Sequence, residues 1–130
     1  GKGHMAKYLG KRLLQSLTEL RMLAIAGYMP DLVACADCAA YESDVMYFLP
    51  DSGVLRCKDC FADTGEPYVA LPPGVLTAMR HIVFSDFEKL YAFSLPEPAL
   101  RILNAATESY VVRTLHTMPK TLEFYKTFLD

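Results

Sequence analysis

The chain has 130 residues, 52% of them hydrophobic and 22% charged, with a formal net charge of −2 and four cysteines. That length predicts one domain able to bury a real core, and eight Tyr with seven Phe exclude a disordered chain. No apolar run reaches the roughly 18 residues of a membrane span, and a charge so near zero gives at first no reason to expect a polyanion partner.

Gly1 to Met5 read as an expression-tag remnant and are set aside. With no natural start and no secretory signal, the chain is expected to be a piece of something longer. Residues 6–30 form the first part of a helical domain. Leu13, Leu17, Leu20 and Ala24 recur at helical spacing, while Lys7, Lys11, Gln15 and Glu19 form a polar stripe. The helix is expected over Lys7 to Tyr28, with Gly27 to close it and Pro30 to stop it.

The texture changes over residues 31–66, which read as an insert. Helical periodicity disappears, all four cysteines fall here, and the polar residues are mainly acidic. Asp44 to Leu49 predicts a strand, Pro50-Asp51-Ser52-Gly53 a turn, and Val54-Leu55-Arg56 the returning strand. Helical texture resumes over 67–130. A helix is expected from Gly74 to Val83, a short capped one from Ser85 to Phe93, and a longer one after Pro96 carrying Leu100, Leu103, Tyr110, Val111 and Leu115. Pro119 ends that helix, and Lys120 to Leu129 predicts a last short one, with Phe124 and Phe128 on apolar faces. The fold class is therefore mainly α, with a small β-hairpin zinc finger inserted in a helical domain.

Cys35-Ala-Asp-Cys38 and Cys57-Lys-Asp-Cys60 are two C-x-x-C pairs separated by eighteen residues. Two intervening residues let both sulfurs of one knuckle face a single ion, and the hairpin returns the second knuckle beside the first. Disulfides fit poorly, since nothing signals secretion and both pairs have metal-type spacing. One structural zinc ion is the expectation; iron in the same four-sulfur geometry stays open. Catalytic zinc keeps an open position, and four cysteines leave none. An insert of about forty residues is also too small to be held by its own core, so metal binding would supply folding free energy there.

Elsewhere no catalytic constellation stands out. His81 and His116 pair with no metal ligand at helical spacing, and no nucleophile elbow, phosphate loop or zinc-protease motif occurs. No enzyme activity is expected. Charge distribution says more than its total. The insert carries eight acids against Arg56 and Lys58, a balance of −6, and the rest carries seven acids against eleven bases, or +4. A metal held by four thiolates would add about −2 to the insert. Phosphate would be repelled by the insert and tolerated by the helical body. Lys7, Lys11, Arg12, Arg101, Arg113, Lys120 and Lys126 are the candidate contacts for DNA or an acidic tail, although each singly also reads as an ordinary solvated helix face.

Leu20-Arg-Met-Leu23, Gly27-Tyr-Met-Pro-Asp-Leu32 and the first cysteine pair together resemble the helix-to-knuckle junction of the bacterial recombination mediators of the RecO family. Tyr47-Phe48, Ser52-Gly-Val-Leu-Arg56 with the second pair, Leu71-Pro-Pro-Gly74 and Met118-Pro-Lys-Thr-Leu122 also fit. The resemblance runs from about Lys7 over nearly the whole chain and corresponds to that family's C-terminal half. Two departures are Ala39, where the family usually has Gly, and Ser52, where it tends to have a second Gly. The resemblance implies strand annealing and recombinase loading in DNA repair. It implies RecR and single-stranded-DNA-binding protein as partners, the acidic tail of the latter docking on the helical body. Single- and double-stranded DNA would be held mainly by an OB-fold absent from this sequence, in the bacterial cytoplasm at the nucleoid, with no membrane role. The finger also resembles GTPase-activating domains of the Arf type, but Phe61-Ala-Asp-Thr-Gly65 offers no arginine where those domains place one. A zinc-stapled adaptor with no DNA role is the remaining alternative.

Overall fold

The computed structural model describes residues 2–84 and 95–117, with side chains from residue 10 onward. The helices expected at 85–93 and 120–129, with Phe124 and Phe128, lie outside the described residues. No helix among the described residues is long and apolar enough to cross a membrane.

Helix α1 covers Lys2–Ile25. It therefore starts earlier than Lys7, since residues 2–6 contain no proline to stop propagation. It also ends before Tyr28. Gly27, at φ 95°, takes the left-handed conformation, and its N–H meets the Ala24 carbonyl at 3.1 Å. The Tyr28 N–H reaches back to the Leu23 carbonyl at 2.8 Å, completing a Schellman closure. The buried stripe of α1 accordingly runs Leu13, Leu17, Leu20 and Leu23, with Leu23 taking the place expected for Ala24.

Strands β1 (Met46–Leu49) and β2 (Val54–Cys57) form the expected antiparallel hairpin, with Met46 opposite Cys57 and Leu49 opposite Val54. The sheet has a third strand the sequence reading did not foresee. Strand β3 (Val69–Leu71) pairs antiparallel with the other edge of β1, so the order is β2-β1-β3. Met46 and Phe48 of β1 are fully buried, and a central strand so deep in the core needs both edges hydrogen-bonded. The partner comes from beyond residue 66, so the sheet crosses the boundary expected for the insert.

Helix α2 spans Pro73–Phe84, with the Pro72 carbonyl receiving the N–H groups of Val75 and Leu76. Pro73 sits in the first turn, where its missing N–H leaves no gap. Helix α3 spans Glu97–Thr117 and packs chiefly along α1. One apolar cluster joins α1, the sheet, α2 and α3, and it includes both Cys35 and Cys57. The finger is thus built onto the helical core rather than hung from it. Arg21 adds a polar tie by donating to the Val83 carbonyl at 2.9 Å at the end of α2.

Candidate metal centre

The first knuckle leaves the loop after α1, and the second leaves the end of β2. Cys35 forms a single bridge to Leu55 of β2, and Ala36 N–H reaches the Leu55 carbonyl at 2.8 Å, which locks the knuckles side by side. Each knuckle then turns on its own backbone. Ala39 N–H returns to the Cys35 carbonyl at 2.9 Å, and Phe61 N–H to the Cys57 carbonyl at 2.9 Å. Ala39 has φ 64°, so the position where the resembled family usually has Gly does require a left-handed residue.

The sulfurs of Cys35, Cys38, Cys57 and Cys60 all lie within 4.8 Å of one another. Cys38 Sγ and Cys57 Sγ are 3.6 Å apart, close to the edge of about 3.8 Å in a tetrahedron of ~2.3 Å zinc–sulfur bonds. Cys57 N–H donates to Cys35 Sγ at 3.3 Å, the kind of outer hydrogen bond that orients a thiolate ligand. Burial is uneven. Cys35 and Cys57 are 3% and 4% exposed, whereas Cys60 is half-buried and Cys38 lies open to solvent.

The same crowding sets the acidities. Burial pushes the Cys35 thiol up, but N–H groups of Cys38, Cys57 and Asp37 outweigh it and bring the thiol down to about 6. The sulfurs of Cys57 and Cys38 hold the Cys60 thiol far above its ordinary range. The Ala40 N–H lowers Cys38, yet the Cys57 and Cys35 sulfurs raise it further, for a net rise. Four thiols in so small a space cannot all ionise alone; a dication at their centre removes that repulsion. Four soft sulfur donors this close together fit a metal ion.

The finger is clamped from α2 by Arg80, which sequence reading did not single out. Its Nε donates to the Leu32 carbonyl at 2.8 Å, and Nη2 to the carbonyls of Val33 and Tyr41 at 3.2 and 2.8 Å. The guanidinium also lies 3.9 Å from the Tyr41 ring centre. On the outer face of the sheet Tyr47 stacks on Phe61 with ring centres 4.0 Å apart, and Tyr68 meets Phe61 edge-on at 4.9 Å.

Among the described residues, the basic candidates do not gather into one free patch. Arg12 forks onto both carboxylate oxygens of Glu108, at 2.8 and 2.9 Å. Arg101 pairs with Glu97 at 2.9 Å, and Arg113 with Asp51 at 2.7 Å. Lys11 is exposed on α1. Lys7 lies in α1 with its side chain outside the described part, and Lys120 and Lys126 lie outside the described residues. Arg12 and Arg113 do line a common groove of about 620 Å³ between α1 and α3, but Glu19 and Glu108 line it too. His81 and His116 are both exposed.

Among the described residues a four-cysteine finger is joined to three helices in one core, and comparison with known proteins places this combination. The family model described as the C-terminal part of recombination protein O matches residues 4–123. The chain belongs to that family. It is 28% identical to the DNA repair protein RecO of Acetivibrio thermocellus over 109 residues, 84% of this chain and 43% of that protein. The DNA repair protein RecO of Symbiobacterium thermophilum is 27% identical over 112 residues, covering 84% and 44%. That of Dehalococcoides mccartyi (strain 195) is 29% identical over 106 residues, covering 80% and 41%. The chain thus spans less than half the length of these curated relatives. No solved structure matches it.

Proposed function

We propose that this chain is the helical, metal-stapled part of a recombination mediator in DNA repair, and that it works by docking partners rather than by catalysis. The observation that carries the reading is the family match over residues 4–123 on a chain whose four finger cysteines stand within 4.8 Å of one another. Zinc is the ion proposed, held by Cys35, Cys38, Cys57 and Cys60 with no open position for substrate. Its role is structural. Two ligands sit in the apolar core, so the metal fastens the finger to the helices.

In this reading the partners are RecR and single-stranded-DNA-binding protein, whose acidic, hydrophobic tail would meet the helical body. DNA would be held mainly by an OB-fold outside this chain, and the setting is the bacterial cytoplasm at the nucleoid. Fluorescence anisotropy of a labelled tail peptide titrated with this protein tests the docking role. Saturable binding that weakens with salt is expected, and no binding at any salt concentration would sink it.

A second reading, an adaptor that never touches DNA, draws support from the ion pairs of Arg12, Arg101 and Arg113. Those pairs neutralise locally the charge that a phosphate backbone would use. Titration of a labelled single strand at two salt concentrations separates the readings. Weak, salt-sensitive binding is expected of the mediator part, and none of the adaptor. Stimulation of a GTPase is expected of neither.

A further inference from the structure

The four cysteine residues of the metal centre are unequally buried, and this gives the site a chemical direction. Cys35 and Cys57 are buried in the core, Cys60 is half-buried, and Cys38 alone is exposed. Its Sγ lies 3.6 Å from the Sγ of the buried Cys57. The residue that follows, Ala39, is held in a left-handed conformation that disfavours a Cβ, so the Cys38 knuckle is the strained one.

We propose that Cys38 is an oxidative modification site, through which peroxides convert the metal-bound finger into a Cys38–Cys57 disulfide and release the ion. The inference rests on the zinc reading above. In the first step the Cys38 thiolate attacks one peroxide oxygen, the O–O bond breaks and hydroxide leaves, giving a sulfenic acid. In the second, the Cys57 thiolate attacks the Cys38 sulfur, the S–O bond breaks and a second hydroxide leaves. The two sulfurs together lose two electrons and the peroxide gains them. The ion, left with two of its four ligands, departs as a hydrated dication. A thiol reductant with added zinc reverses the change.

The test uses the full chain loaded with zinc, its metal content measured first. Hydrogen peroxide is added in substoichiometric steps, zinc release is followed with a chromogenic chelator, and the sulfurs are mapped by mass spectrometry with a sulfenic-acid trap. Expected are Cys38 as the first sulfur modified and one zinc released per Cys38–Cys57 bridge. A Cys38→His variant, which keeps a three-cysteine, one-histidine set, should retain zinc and release it about tenfold more slowly, while Cys35→His should give no such protection. First modification at Cys60, or a Cys57–Cys60 bridge, overturns the proposal. Equal release rates in Cys38→His and the parent overturn it as well. If Cys38→His does not hold metal, the mapping on the parent protein decides. A parent chain that binds no metal before peroxide is added overturns the zinc reading itself, and this inference with it.

Discussion

The ring of Tyr110 closes directly over Gly53: a Cβ on that glycine would stand 3.0 Å from Tyr110 Cε1. Gly53 also has φ 66°, so the turn between β1 and β2 needs a residue without a side chain for two separate reasons. The hydroxyl of the same tyrosine donates to the Tyr28 carbonyl at 2.7 Å, just beyond the end of α1. One side chain of α3 therefore fixes both the hairpin turn and the chain leaving α1.

Substituting Gly53→Ala should cost about 2–4 kcal/mol, combining the left-handed penalty with overpacking against the ring. Tyr110→Phe keeps the ring and loses only the hydrogen bond, for about 1 kcal/mol. Denaturant unfolding monitored by circular dichroism measures both. A Gly53→Ala loss no larger than that of Tyr110→Phe would show that the turn relaxes away from the ring.

Arg80 carries the next prediction. Three finger carbonyls and one aromatic ring converge on a single guanidinium from α2. Arg80→Ala leaves those carbonyls to water or to nothing and should cost about 2–3 kcal/mol. Arg80→Lys should recover less than half of that, since one ammonium cannot reproduce the planar fork. Hydrogen exchange should localise the change to residues 32–41. Uniform loss of protection across the helices instead would mean that Arg80 supports the core and not the finger.

These two sites also show what a sequence discloses and what it withholds. The cysteine knuckles, Gly27, and Pro72 before Pro73 act within a few residues of themselves, so their spacing carries the information. Strand β3 is three residues between Pro67 and Pro72, too short for an alternating pattern, and it forms because β1 needs a second partner. Arg80 bonds main-chain carbonyls 39 to 48 positions away, and carbonyls belong to every residue type. The basic residues were legible as charges, but their acids were not: Glu108 lies 96 positions from Arg12. The insert likewise looked separate because its composition differs. Its inward side chains, Met46, Phe48 and Leu55, nevertheless share one core with the helices.

That shared core makes metal removal a test of the whole fold. Cys35 and Cys57 are core residues, so losing the ion leaves polar sulfurs crowded against apolar neighbours. Structural zinc in small domains is worth on the order of 10–16 kcal/mol of apparent binding free energy, enough to exceed the stability of an ordinary domain. Dialysis against a strong chelator should therefore abolish the cooperative thermal transition or lower its midpoint by well over 10 °C. Restoring one equivalent of zinc should restore it. An unchanged midpoint after complete metal removal would mean that the hydrophobic cluster alone holds the finger.

Ala39 offers a change in the opposite direction. It holds φ 64°, a conformation that costs an L-residue with a Cβ about 1–2 kcal/mol. Glycine removes that cost but frees the unfolded chain, which takes back about 0.4–1 kcal/mol. The first effect is the larger, so Ala39→Gly should stabilise the metal-loaded protein by roughly 0.5–1 kcal/mol. The thermal midpoint should rise by about 2–5 °C. Because the strain sits in the turn that joins Cys38 to the rest of its knuckle, zinc should also leave more slowly in competition with a chelator. A neutral or destabilising result would mean that the Ala39 methyl group makes packing contacts worth as much as the strain it causes.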